Sequence, residues 1–156
     1  MKDMSKNLKK GFTLVELVIV AGIVAFIGAT TVAVSSNLQR RTLENAALAL
    51  QADMRRAQRM AMLEGIRWRV EFCLENNSYT IRSMTRDANR YVVYLPNGVV
   101  FEYFPRAFVD YLPRGTLGGG GGFGTGTGFS MTLRNGRHTQ RMTVLPVTGR
   151  IALVDN

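Results

Sequence analysis

The sequence predicts an α+β fold, one long N-terminal helix followed by antiparallel sheet. Three observations carry this expectation. An apolar run from Phe12 to Val34 is interrupted by one carboxylate, Glu16. An amphipathic stripe continues the run without a proline, and segments of period two then alternate with turn sequences from Ile66 onward.

The chain opens on MKDMSKNLKKG, where Lys2, Lys6, Lys9 and Lys10 outweigh Asp3. A basic flank of this kind predicts a cytoplasmic N-terminus. The 23 residues from Phe12 to Val34 cover the roughly 30 Å hydrocarbon core when helical. No small-residue cleavage site or turn follows the run, so anything removed is the leader before it. The expected division is a leader over 1–11, a membrane half of the helix over 12–36 and an exported domain over 37–156. A charged side chain deep in a bilayer costs on the order of 2.5 to 3.5 kcal/mol, so Glu16 either snorkels to the headgroups or has a cationic partner. Ala21, Ala25 and Ala29 repeat at i,i+4 beside Gly22 and Gly28, a small-residue face suited to close helix approach.

Beyond Val34, Leu43, Ala47, Leu50, Met54, Ala57 and Ala61 alternate spacings of four and three, which is a helical stripe. Gly65 is the expected stop. One helix from Phe12 to Glu64 would extend roughly 80 Å. Strands are expected at Ile66–Leu74 and Ser78–Ser83, joined by a hairpin turn at Glu75-Asn76-Asn77. In the first of these, alternation puts Trp68, Val70, Phe72 and Leu74 on one face and Cys73 on the other. Tyr91–Leu95 and Val99–Phe104 flank Pro96-Asn97-Gly98 as a second hairpin. Phe129–Arg134 and Thr139–Leu145 flank Asn135-Gly136 as a third, and Ile151–Val154 forms a last strand.

Gly115 to Gly128 holds nine glycines in 14 residues and reads as a loop, either inert or contacting a partner. Within it Gly119 to Gly124 matches GxGxxG in form, but no strand precedes it, no helix follows and no Gly-Lys-Ser/Thr is present, which argues against a nucleotide site. All four lysines lie in the leader, so the chain from Phe12 carries 16 arginines against 10 acids, a net +6. That balance favours polyanions, anionic lipid or acidic partner subunits. Cys73 is the only cysteine and excludes an internal disulfide. Cys73 and His138 are single copies on separate expected strands, with no metal-ligand spacing and no nucleophile or paired-carboxylate signature. The reading is therefore no enzyme, no metal and no cofactor.

Lys9-Lys10-Gly11-Phe12-Thr13-Leu14-Val15-Glu16 resembles the class III signal of type IV pilins and type II secretion pseudopilins. The resemblance implies a prepilin peptidase that cuts after Gly11 and N-methylates Phe12. It also implies that Glu16 neutralises the freed amine of Phe12 on an adjacent subunit during filament assembly at an inner-membrane platform. The ending Val144-Leu145-Pro146-Val147-Thr148-Gly149-Arg150-Ile151-Ala152-Leu153, with the strand-rich layout, resembles the minor pseudopilins typified by general secretion protein H (GspH) and the fimbrial protein FimT. That group implies a pilin-like fold with a β-sandwich, and a place in a periplasmic pseudopilus that drives protein secretion. The alternative is a minor type IV pilin at a pilus tip that binds DNA for uptake. No acid occurs between Asp110 and Asp155, whereas Arg134, Arg137, Arg141 and Arg150 do, and these are the candidate phosphate contacts. Some FimT-like pilins use Gly-Arg-x-Arg; here Gly149-Arg150-Ile151-Ala152 lacks the second arginine.

Overall fold

The computed structural model describes residues 13–85, 90–105, 107–118, 128–145 and 148–154, the side chains of residues 29–36 excepted. The expected leader, the cleavage position Gly11/Phe12 and most of the glycine-rich loop lie outside the described residues. Two compact units are present, Met1–Asn37 and Leu38–Asn156.

Helix α1 runs from Leu14 to Glu64. Thr13 caps it: the Glu16 N–H donates to Thr13 Oγ1 at 3.3 Å and the Leu17 N–H to the Thr13 carbonyl at 3.2 Å. Thr13-x-x-Glu16 is the sequence of a capping box, in which a hydroxyl satisfies an amide of the first turn. At the far end Gly65 takes φ +66°, the left-handed conformation that closes a helix. In the first unit the apolar side chains of Leu14, Val15, Leu17, Val18, Ile19, Val20, Ile23, Val24, Phe26 and Ile27 are all at least half exposed. Among the described residues no helix is long and apolar enough to cross a membrane.

In the second unit the expected stripe is the buried face of the helix. Leu43, Ala47, Leu50, Met54, Ala57 and Ala61 are buried together with Ala46. Eight strands follow: β1 (Trp68–Cys73), β2 (Ser78–Ser83), β3 (Arg90–Tyr94), β4 (Val99–Tyr103), β5 (Phe108–Tyr111), β6 (Phe129–Asn135), β7 (His138–Val144) and β8 (Ile151–Val154). They form two antiparallel sheets, ordered β3-β2-β1-β5 and β4-β6-β7-β8. Aromatic side chains join the sheets. Phe72 of β1 meets Phe101 of β4 edge-on at 5.6 Å, and Phe104 lies 4.1 Å from Phe72 and 5.9 Å from Phe129. Edge-to-face rings of this kind add to the stabilisation that burial already supplies.

Four expectations need correction. First, Tyr91–Leu95 and Val99–Phe104 do not form a hairpin, because β3 and β4 belong to different sheets. The Leu95 N–H is held by the Asn77 carbonyl at 2.8 Å, while Val99 pairs with Asn135 of β6. Gly98, at φ +86°, lets the chain turn against the Asn135 side chain, so the segment crosses between sheets. Second, β5 was not expected; it is four residues long, lies between Pro105 and Pro113, and pairs with β1 through Arg69 and Asp110. Third, Trp68, Val70 and Phe72 are buried as alternation requires, but Leu74 is 51% exposed because the strand ends at Cys73. Fourth, the third hairpin is closed by the pair Asn135 and His138, so its two-residue loop is Gly136-Arg137 and not Asn135-Gly136. Gly136 has φ +59° and Arg137 does not have a positive φ, the pattern of a type II′ turn with glycine first.

Candidate assembly site

Glu16 sits at the third position of α1, with its backbone N–H engaged by Thr13 and its residue exposed. Its neighbours along the helix are the exposed Leu14, Val15, Leu17 and Val18. Among the described residues the Glu16 carboxylate has no ion-pair partner, and exposed apolar side chains flank it. Desolvation makes such a surface selective, since an acid buried there without a cation is costly. The cap on Thr13 was readable as Thr-x-x-Glu, a signal that the charge argument for Glu16 had left aside. Of the small-residue face, Gly22 and Gly28 have open space where a Cβ would stand.

The four arginines proposed for phosphate contacts are not brought to one place. Arg134 and Arg141 share the outer face of the second sheet. Arg134 pairs with Thr139 and Arg141 with Thr132, which sets the two arginines on a cross-strand diagonal of about 7–8 Å. Arg134 is engaged with Glu102 at 3.3 Å. Arg137 occupies the hairpin loop beside Gln39, since the neighbouring Asn135 donates from Nδ2 to the Gln39 carbonyl at 3.1 Å. Arg150 lies at the other end of the domain helix, next to Thr148, whose carbonyl accepts from Gln58. From Gln39 to Gln58 the helix axis advances roughly 28 Å.

Gln58 itself escaped the sequence reading. Its Nε2 donates to the carbonyls of Gly115 and Thr148, each at 2.6 Å, fixing two loops to one helical side chain. One turn and two turns earlier on the helix, Arg55 and Gln51 reach the Ile151 carbonyl at 3.5 and 2.9 Å. Gly149 is buried against this junction at φ +62°, and a Cβ there would stand 2.9 Å from the Gly115 carbonyl oxygen. The glycine of Thr148-Gly149-Arg150 is thus required by packing. Tyr111 is buried beside it, and burial raises its phenol well above the usual range. Tyr79 donates to Asp53 Oδ2 at 2.7 Å; burial first, and then this hydrogen bond and the aspartate charge, hold its proton on.

Cys73 is half-buried with a free thiol, and His138 closes the hairpin opposite Asn135. Among the described residues no cluster of histidine, cysteine, aspartate or glutamate is arranged to hold a metal ion.

Both the N-terminal segment and the fold of this chain are similar to those of known proteins. Residues 6–32 match the family described as the prokaryotic N-terminal methylation motif. The search of curated proteins finds no significant sequence relative. Two solved structures of the minor pseudopilin EpsH, from the type II secretion system of Vibrio cholerae, share the fold. One is 15% identical with a TM-score of 0.55, covering 72% of this chain and 95% of that one. The other is 13% identical with a TM-score of 0.55, covering 74% and 94%. The chain therefore carries a methylation-type N-terminus ahead of a pilin-like α+β fold of the kind seen in EpsH.

Proposed function

We propose that this chain is a minor pseudopilin of a type II secretion system, a subunit of the periplasmic filament that drives secretion of folded proteins. One conjunction supports the reading: a methylation motif over residues 6–32 on a chain whose fold is shared with EpsH. In this reading prepilin peptidase cuts between Gly11 and Phe12 and methylates the new Phe12 amine. Residues 12–36 then anchor the subunit in the inner membrane, with the N-terminus cytoplasmic and the domain from residue 37 periplasmic. Glu16, exposed on the first turn of α1, neutralises the Phe12 amine of the neighbouring subunit as the assembly platform adds it to other pseudopilins. The role is structural and needs no catalytic group or cofactor.

The test is mass spectrometry of the membrane-extracted protein combined with deletion of its gene. The expected results are a chain beginning at N-methylated Phe12 and loss of secreted proteins from the medium. A chain that still begins at Met1 in secretion-competent cells overturns the processing step, and unchanged secretion after deletion overturns the assignment to that machine.

A further inference from the structure

We propose that Arg137, at the β6–β7 hairpin tip, and Arg41 of α1 form a basic collar that rests on anionic lipid headgroups where the exported domain meets the bilayer. The inference builds on the reading above in which residues 12–36 are the membrane segment.

The hairpin reaches further toward the start of its unit than the other sheet does. Asn135 is bonded to the Gln39 carbonyl, and a Cβ on Gly136 would stand 2.6 Å from Gln39 Oε1, so the tip is seated on the helix two residues past Asn37. The corresponding end of the first sheet, Tyr94 to Pro96, instead lines a groove with Asn45, Ala46 and Ala49. That level is about two helical turns further along. In sequence, Gln39 lies three residues past residue 36, where the proposed membrane segment ends.

The chemistry at this level suits an anionic surface. Arg41 and Arg137 are exposed and, among the described residues, make no ion pair. The nearby acids are occupied: Glu44 binds Arg40 at 2.7 Å and Glu102 binds Arg134 at 3.3 Å. Leu38, 58% exposed and one turn before Arg41 on the helix, adds an apolar side chain at this level, the composition of an interfacial contact. Arg41 lies two residues from Gln39, on the far side of the helix from the hairpin, so the charges flank the helix as a plane of headgroups requires. Duplex DNA would instead need the arginines along one track, and Arg150 lies at the opposite end of the domain helix.

The test uses the full chain in lipid nanodiscs with a fluorophore on Thr139→Cys in a Cys73→Ser background, read by quenching from nitroxide-headgroup lipid. A second label on Arg114→Cys, at the Gln58 end, serves as the reference. Expected is stronger quenching at position 139 in discs containing phosphatidylglycerol than in pure phosphatidylcholine. The bound-to-free ratio of the tip should change about fivefold for each arginine engaged. The gain should vanish in the Arg41→Gln/Arg137→Gln variant and in about 1 M salt, where the Debye length is about 3 Å. Equal quenching in the two lipids, or a gain that survives both substitutions, overturns the collar while leaving the membrane anchor intact. A chain that does not remain with the discs at all overturns the anchor and the collar together. Loss of quenching on adding duplex DNA at low salt would overturn the lipid assignment in favour of nucleic acid.

Discussion

Asp110, 1% exposed on β5, accepts two hydrogen bonds from Arg69 of β1, from Nε at 2.6 Å and Nη2 at 2.9 Å. The pair is a cross-strand partner in the β1–β5 ladder, and the Arg69 guanidinium also lies 3.8 Å above the Phe108 ring. The Asp110 hydrogen bond is the main cause that keeps the Arg69 proton firmly bound, against the opposing effect of burial. This fork adds a side-chain clamp to the backbone ladder that joins the short strand β5 to β1. Asp110→Ala leaves the Arg69 cation with Glu71 alone, at 3.8 Å, and the expected cost is about 2 kcal/mol. The double variant Arg69→Met/Asp110→Leu should cost less than the single one. Urea unfolding of the detergent-solubilised chain measures both, and a single variant no worse than the double refutes the account.

The Gln58 junction predicts a second pair of outcomes. Gln58→Ala removes two hydrogen bonds, to Gly115 and Thr148, each worth about 1 kcal/mol net. Gly149→Ala forces a left-handed backbone on an L-residue and drives its Cβ toward the Gly115 carbonyl, so it should cost about 2 kcal/mol or more. Thermal unfolding followed by circular dichroism distinguishes these from Arg150→Ala, an exposed position expected to change stability by less than about 0.5 kcal/mol.

Alkaline pH is the third. Tyr79 and Tyr111 both hold their protons above the usual tyrosine value of 10 in the folded state, chiefly through burial. The unfolded chain releases these protons first, so the stability they contribute is fully present below pH 10 and declines as pH rises above it. Unfolding midpoints should be level from neutrality to that point and then fall. The Tyr79→Phe/Tyr111→Phe variant should show a shallower decline. Among the described residues the Tyr111 hydroxyl has no hydrogen-bond partner, so Tyr111→Phe alone should not destabilise at neutral pH.

Glu16→Ala is the fourth. The variant should insert in the membrane and be processed normally, yet fail to join filaments. If pairing with the Phe12 amine recovers the ~2.5–3.5 kcal/mol that a charge costs at bilayer depth, incorporation should fall about a hundredfold. Quantifying the variant in sheared filaments against the membrane pool reads this directly, and normal incorporation removes the assigned role.

Much of the architecture was legible because its signals are local. The helical stripe from Leu43 to Ala61 needs only a spacing rule, and Gly65 needs only its place after the last turn. The β1–β2 and β6–β7 hairpins likewise announce themselves through short turns between alternating segments. What stayed hidden depends on contacts between distant residues. Pro96-Asn97-Gly98 looks like a hairpin turn in isolation; only the pairing of Val99 with Asn135 shows that the chain changes sheets there. β5 is too short to carry periodicity, and its strand character comes from backbone pairing with Trp68 to Glu71 of β1. At the N-terminus the motif around Glu16 is contiguous and could be read outright. The clustering of the arginines could not, because faces and ends of sheets are set by register and by docking on the helix.

The side chains of Gln39, Gln51, Arg55 and Gln58 each contact the β6–β8 part of the chain, and the hydrogen bonds in which Gln51, Arg55 and Gln58 reach Thr148 and Ile151 span 90 to 100 residues. The helix is thus completed by segments that lie 90 to 100 residues further along the chain. Contacts so far apart in sequence close slowly, and until they form the Leu43 to Ala61 stripe is left uncovered. Such a domain reaches its final packing only once residues 148 to 151 have joined the helix, which makes the interval before that closure its most vulnerable moment to proteases and to aggregation.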